Sequence, residues 1–286
     1  MKNFKLIGLA LGIIFCAVFP LKKVLSESRP PLIASKAICK PIKVMTTLEI
    51  HKAIVEELVG DGVEVEALIP PGLSPCKFDP IPSDRRKLEA CDLWIGSKQF
   101  FESKASNNPA IQRFICVHKK SPHEVMSPEC LKKSTCQIAE ALKELVPNMS
   151  ASIDRNRDAF LNKIDLTVAR VKEILALSSK PKLLSLHPTF SSFCEFFGIE
   201  HLAVENCHGG ASLKRIEHIK SALKPYQVTQ ASGMHTETPI LIVEPFVESE
   251  QAKRIAQTLE VEVRLLDPYK PDVLCTYLEL AKAAAR

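Results

Sequence analysis

Three potential metal ligands in this chain lie at the ends of three separate sequence elements. His187 comes directly after the run 183–186, and Asp267 closes the run 261–266. His123 lies in a similar break that is bounded by prolines. In open α/β sheets, ligands bind beyond the carboxyl ends of the strands. We therefore expect these side chains at the mouth of a cleft rather than in a core.

A proline-rich loop provides a fourth candidate, Cys76. Residues 70–84 read Pro-Pro-Gly-Leu-Ser-Pro-Cys-Lys-Phe-Asp-Pro-Ile-Pro-Ser-Asp, a composition that restricts the backbone. With two donors from each half of the chain, the four side chains would form a closed site of nitrogen, sulfur and oxygen atoms. Such a mixed donor set suits a transition metal.

The segments around these residues alternate between strand and helix. In the first half, the pattern predicts strands at 42–46, 63–69 and 93–96 and helices at 48–59, 83–90 and 128–145. In the second half, it predicts strands at 182–186, 202–204, 240–243 and 261–266 and helices at 190–197, 212–223, 249–259 and 271–285. This order implies parallel sheets covered by helices.

Residues 151–177 form a longer helical pattern without Gly or Pro. At about 1.5 Å per residue the helix would be roughly 40 Å long, a rigid strut between two lobes. Two shorter helices within one continuous domain are the alternative. We expect an α/β fold of two lobes, each a mainly parallel sheet flanked by helices, joined by one long rigid helix with the metal site between the lobes. The predicted division is a signal peptide at 1–28, an N-terminal lobe at 38–150, a linking helix at 151–179 and a C-terminal lobe at 180–286.

The first residues have the pattern of an export signal. Lys2 and Lys5 precede an uncharged, mostly apolar stretch, 6–21, which is shorter than the roughly 20 residues needed to span a bilayer. A retained membrane anchor is the alternative. Cys16 follows the bulky Phe15, where a lipid-modified cysteine is expected to have a small neighbour, so no lipid anchor is expected. The protein is therefore predicted to be periplasmic.

Composition and charge are those of an ordinary soluble protein with one or two domains. The 286 residues are 46% hydrophobic and 25% charged, with a formal net charge of +5 to which the N-terminus contributes. No basic patch is interleaved with aromatic residues, so nucleic-acid binding is not expected. The ten cysteines include Cys16, which leaves an odd number beyond the signal, and no CxxC motif occurs.

These motifs together resemble those of bacterial solute-binding proteins of family 9, which deliver zinc or manganese to ABC transporters. Residues 71–84 resemble the family's Pro-Gly-x-Ser-Pro-His-x-(Tyr/Phe)-x-x-x-Pro-Ser-Asp loop nearly throughout. Residues 121–128 resemble its Asp-Pro-His-x-Trp-(Leu/Met)-x-Pro motif, and 187–190 are similar to its strand-ending His-x-x-(Phe/Tyr). Its late Glu-Pro and Leu-Asp-Pro motifs also have counterparts, at 244–245 and 266–268.

The resemblance spans about residues 40–286 and implies the metal ligands Cys76, His123, His187 and Asp267. Cys76 stands where the family has its first histidine. A thiolate still ligates zinc, and a softer donor shifts the preference toward zinc over manganese. A disulfide and an inert thiol are the alternatives for Cys76. Because a ligating thiol must lose its proton, metal affinity should weaken as the pH falls.

Two further residues are weaker candidates. Glu244, also at a strand end, is either an acceptor that orients an imidazole or a loop carboxylate. His208 is a candidate auxiliary ligand at the cleft. The remaining histidines are expected to be structural or to lie at the surface; they are His51, His118, His201, His218 and His235.

The resemblance implies a monomeric carrier and not an enzyme. It would take up zinc or manganese as its transported ligand and deliver the ion to the membrane permease of an ABC transporter with its ATPase. A zinc hydrolase would instead need three ligands, a bound water and a general base, for which only Glu124 and Glu244 are candidates. The chain contains neither HExxH nor GxSxG. A surface-interaction protein on the same scaffold is the remaining alternative.

Overall fold

Two parallel four-stranded sheets, one in each half of the chain, organise the fold. The computed structural model describes residues 41–97, 101–178, 180–206, 210–231, 239–247 and 249–286. The first sheet contains β1 (Lys43–Thr46), β2 (Glu64–Ala67), β3 (Leu93–Ser97) and β4 (Phe114–His118), in the order β2-β1-β3-β4. The second sheet contains β5 (Lys182–Ser185), β6 (Glu200–Ala203), β7 (Ile240–Val243) and β8 (Glu262–Leu265), in the order β6-β5-β7-β8.

Helices connect the parallel strands in each half, as crossover connections require. The first half contains α1 (Glu49–Val59), α2 (Pro82–Ala90), α3 (Glu102–Ala105) and α4 (Pro128–Leu145). The single helix α5 (Ser150–Leu175) follows, and the second half contains α6 (Ser191–Phe197), α7 (Leu213–Ala231), α8 (Ser249–Leu259) and α9 (Val273–Ala284). The predicted α/β fold with two parallel sheets and one long helix is confirmed.

Two elements were not predicted, β4 and the short helix α3. Strand β4 is an outer strand of its sheet, and its residues are only partly buried over Phe114–Cys116. Its apolar run is short, and its extended conformation depends on pairing with β3 across an irregular register at Gly96 and Ser97. That pairing is a long-range interaction, so the local pattern of residues did not reveal it.

The long helix α5 contributes to a core that is continuous between the two halves. Its buried face consists of Ile153, Ile164, Val171 and Leu175. This face packs against α1 and α4 of the first half and against α9 of the second. One cluster of buried apolar side chains extends from Val44 in the first sheet to Tyr277 in α9. Separation of the two sheets would therefore expose apolar surface, which opposes a wide hinge motion.

The loops that carry the predicted site residues all leave the carboxyl ends of strands. Cys76 follows β2, His123 follows β4, His187 follows β5, and Asp267 follows β8. Since the strands of each sheet are parallel, these ends share one edge of their sheet. The predictions for 1–28, His208 and His235 lie outside the described residues. Within the described part of the chain, no helix has the length and apolar character that a membrane span needs.

Replacement of Ile164 by alanine should test the contribution of α5 to the shared core. Ile164 is fully buried, so the loss should lower the free energy of unfolding by about 2–5 kcal/mol, measured by urea denaturation. The matched control is Leu166→Ala, because Leu166 lies on the same helix with 64% of its surface exposed. That change should cost less than about 0.5 kcal/mol. Equal effects of the two substitutions would contradict the assigned orientation of α5.

Candidate metal centre

His123 is presented by a short, well-defined turn between β4 and α4. A 3-10 turn runs from Pro122 to Met126, and Ser121 caps it, because its Oγ accepts the His123 N–H at 3.1 Å. Proline in the first position of the turn has no N–H that would need a partner. The fixed backbone on both sides of His123 therefore fixes the direction in which its imidazole leaves the chain.

Cys76 lies in a loop with few internal hydrogen bonds. Two backbone turns, closed by the N–H groups of Leu73 and Lys77, are its local structure. Regular structure resumes at the start of α2, where the Asp84 carboxylate accepts the Ile81 N–H at 3.0 Å. The proline content, rather than hydrogen bonding, therefore restricts the loop around Cys76.

Cys76, His123 and His187 converge from both halves of the chain. Cys76 Sγ lies 3.8 Å from His123 Nε2. The rings of His123 and His187 have centroids 5.8 Å apart and planes inclined by 68°. The His187 side chain retains 18% exposure, so the group lies at the edge of solvent. His123 thus lies next to both Cys76 and His187.

Burial keeps both imidazoles neutral. It lowers the pKa of His123 to about 4, and the neighbouring His187 adds to this effect. Burial also lowers the pKa of His187, while Glu205 opposes the shift and Lys77 reinforces it. A neutral imidazole retains the lone pair that a metal ligand needs.

Asp267 lies beside the Cys76 loop. Its Oδ1 accepts the Tyr269 N–H at 2.9 Å. Together with Tyr269 and the start of the proline-rich loop, Asp267 lines a narrow crevice between the two halves. Across the described residues, no group of three or more His, Cys, Asp or Glu side chains has the spacing to hold a metal ion. His123 thus contacts Cys76 and His187, Asp267 lies in the adjacent crevice, and the four predicted ligands do not form a coordination shell in the described structure.

Two contacts of the histidines involve residues that the sequence reasoning missed. The Tyr269 hydroxyl lies 2.5 Å from His123 Nδ1, and Glu205 Oε2 lies 3.9 Å from His187 Nδ1. Glu205 could have been found, because it follows β6 as the other candidates follow their strands. No sequence signal identified Tyr269, because its contact spans 146 positions of the chain.

Glu244, at the end of β7, is fully buried, and neither carboxylate oxygen has a hydrogen-bond partner among the described residues. Burial raises its pKa to about 7; the nearby Thr189 hydroxyl lowers it in part without reaching hydrogen-bond geometry, and Glu205 raises it further. Glu244 therefore does not orient an imidazole by a hydrogen bond, which was one of its two predicted roles. It is a buried carboxyl group in the loop that follows β7.

Comparison with known proteins identifies the family. The sequence pattern of the periplasmic component A of the zinc-uptake complex, ZnuA, matches residues 44–286. The chain belongs to this family. ZnuA-family proteins are metal-binding, substrate-binding proteins of ABC transporters and are not enzymes, so the predictions of family and of a non-enzyme are confirmed. The hydrolase alternative is thereby excluded.

Individual relatives of this ZnuA-family chain include one named for metal binding in general and one named for iron. A Thermotoga maritima protein, named as a candidate metal-binding protein, is 27% identical over 84% of this chain and 88% of its own length. The iron-binding protein YfeA of Yersinia pestis is 24% identical over 82% of this chain and 77% of its own. A crystal structure of ZnuA superposes with a TM-score of 0.75 at 19% identity, covering 86% of this chain and 98% of the other. These likenesses support the two-lobe fold and leave the metal open.

The remaining described histidines of this ZnuA-family protein have structural or surface positions. His51 and His118 are both buried and stacked, with their Nε2 atoms 3.1 Å apart. His201 contacts Ser185 Oγ at 2.8 Å through its Nε2 atom. His218 is exposed on α7. None of these four residues adds to the candidate metal centre.

Acid should destabilise the metal-free protein, because several imidazoles are buried in their neutral form. The pKa of His118 and of His201 lies at about 4, against an ordinary value of 6.5. The unfolded chain therefore takes up protons below about pH 6.5 that the folded chain does not bind until about pH 4. The free energy of unfolding should thus fall as the pH drops through this window.

The test is urea unfolding of wild type, His118→Gln and His218→Gln at about pH 7 and about pH 5. His118→Gln should lose less stability on acidification than wild type, because it removes one buried titrating group. The exposed His218 serves as the control, and His218→Gln should lose as much as wild type. An unchanged loss in His118→Gln would show that burial of His118 does not contribute to the acid sensitivity.

Proposed function

We propose that this chain captures a divalent transition metal, with zinc favoured over manganese, and delivers it to the permease of an ABC transporter with its ATPase. The proposed ligands are Cys76, His123, His187 and Asp267. The observation that carries the proposal is the convergence of a thiol and two neutral imidazoles from both halves of the chain. Membership of the ZnuA family supports the same role.

The distance between Cys76 and His123 supports a shared ion. With a Zn–S bond of about 2.3 Å and a Zn–N bond of about 2.0–2.1 Å, two ligands at a tetrahedral angle lie roughly 3.6 Å apart. The observed separation of Cys76 Sγ and His123 Nε2 is 3.8 Å. A zinc ion therefore fits between these two atoms with little change in their positions.

The chemistry of the donors favours zinc. A thiolate is a soft ligand, which zinc accepts more readily than manganese does, and imidazole nitrogen suits zinc equally. Manganese prefers carboxylate, carbonyl and water oxygens, of which the proposed set contains only the Asp267 carboxylate. The substitution of cysteine for the family's first histidine thus shifts the site further from manganese.

Capture of the ion would be a local rearrangement. The 3-10 turn that carries His123 packs directly against the turn Pro188–Phe190 that follows His187. The core shared by the two halves also opposes a wide opening. The loop around Cys76, with its few hydrogen bonds, and the facing segment 267–271 are the parts that can close around the ion and release it to the permease.

The proposed carrier acts outside the cytoplasm. We propose a signal peptide at 1–28 that directs a monomer to the periplasm. The lobes at 38–150 and 180–286, linked through 151–179, would then present the site at their shared cleft.

Metal titration of Cys76→Ala and His187→Ala tests the ligand set. Each loss should weaken zinc affinity by more than the roughly 10–100-fold that removal of an outer-shell partner costs. Competition with a chromophoric chelator, together with metal analysis of the purified protein, gives affinity and stoichiometry. The control is His218→Ala, which should bind as wild type does because His218 is exposed. Unchanged binding by His187→Ala would remove the site as proposed.

Hydrogen exchange tests the local mode of capture. Addition of zinc should slow amide exchange most in the Cys76 loop and in 267–271, because these segments become ordered around the ion. The turn that carries His123 is already held by its cap and by packing, so its protection should change least. If zinc changed the amide exchange rates equally across both lobes, that result would contradict local closure.

A further inference from the structure

Two tyrosines from the C-terminal part of the chain bind the turn that carries His123. Tyr269 follows β8 and places its hydroxyl 2.5 Å from His123 Nδ1. Tyr277, on α9, donates a hydrogen bond from its hydroxyl to the Val125 carbonyl at 2.8 Å. Both side chains are buried, and both contacts cross from the second half to the first. Of these two tyrosines, Tyr269 contacts the His123 imidazole, whereas Tyr277 contacts the backbone of the turn.

The Tyr269 contact determines how the His123 ring can act as a ligand. A neutral imidazole has one N–H donor and one lone pair. His123 Nε2 faces Cys76 Sγ, and His123 Nδ1 faces the tyrosine hydroxyl. If Nε2 is to give its lone pair to a metal, Nδ1 must carry the proton and donate it to a neighbouring oxygen.

We propose that Tyr269 is a positioning residue for metal binding, in which its hydroxyl oxygen accepts the His123 Nδ1–H and directs the Nε2 lone pair toward the ion. This inference rests on the proposed function. Metal-ligating histidines commonly donate their second N–H to an oxygen acceptor, which fixes the tautomer and the ring orientation. In this chain a tyrosine from the opposite half provides that acceptor.

The same residue also holds the other half of the site. The Tyr269 N–H donates to Asp267 Oδ1 at 2.9 Å, so the backbone of Tyr269 orients one proposed ligand while its side chain orients another. Loss of the hydroxyl alone should therefore disturb His123 and leave Asp267 in place. This division makes Tyr269→Phe a selective test.

Packing fixes the position of the hydroxyl independently of its hydrogen bond. The Tyr269 ring stacks on His123 at a centroid distance of 6.1 Å and on Phe246 at 6.5 Å. Phenylalanine would keep both ring contacts, so it can replace Tyr269 with little loss of packing.

The experiment compares Tyr269→Phe with Tyr277→Phe in the otherwise intact chain. Tyr269→Phe should bind zinc about 10–100-fold more weakly, and Tyr277→Phe should stay within about twofold of wild type. Both variants lose a buried interlobe hydrogen bond, so urea unfolding should show a loss of stability in each. With cobalt in place of zinc, the visible absorption spectrum should change in Tyr269→Phe and not in Tyr277→Phe.

A readout without metal keeps this proposal distinct from the proposed function. Proton–nitrogen NMR of the metal-free protein should show His123 protonated at Nδ1 in wild type and in Tyr277→Phe, with a shift toward Nε2 protonation in Tyr269→Phe. The proposal is overturned by an Nε2-protonated His123 in wild type, by unchanged affinity of Tyr269→Phe, or by equal losses of affinity in the two variants. Failure of wild type to bind zinc or cobalt, with the expected NMR result, would instead refute the proposed carrier function.

Discussion

The imidazole of His123 is held at both of its ring nitrogens by side chains that are far from it in sequence. Cys76 faces Nε2 from a loop of the same half, and Tyr269 faces Nδ1 from the opposite half. Loops at the carboxyl ends of strands in the two sheets bring these side chains together. The helix α5 and the core that it shares with α9 hold the sheets in that position. The chemistry of the site therefore depends on the packing of apolar surfaces that contain no ligand.

The proposed site combines two turns that are fixed by the shared core with one loop that can change its conformation. The turns that carry His123 and His187 pack on each other and are extensions of the core. The loop around Cys76 relies on proline for its shape and has few hydrogen bonds to lose. Local opening of such a segment costs far less free energy than separation of the two lobes. A protein that must both hold and release an ion can thus keep half of its site preformed.

The cleft also contains groups that reduce the stability of the fold. Glu244 is buried with neither carboxylate oxygen paired among the described residues, and His123 is buried with a strongly lowered pKa. Each of these costs free energy that a purely structural cleft would avoid. Such local exceptions to the rules of stable folding are characteristic of functional sites. Glu244 acts electrostatically on Tyr269, which contacts His123, so both groups belong to the surroundings of the proposed site.

Local patterns in the sequence were sufficient for the elements and for the ligand candidates. Residues 128–145 and 240–243 form α4 and β7 at the predicted positions, because periodicity and flanking prolines act through neighbouring residues. The positions at the ends of apolar runs likewise selected His187 and Asp267, since that criterion needs only the local sequence. The sequence did not reveal β4 or the Tyr269 contact, because each depends on a partner that is distant along the chain. Composition and spacing thus determined which side chains could bind a metal, whereas the packing of the two sheets decided which of them meet and which neighbour orients them.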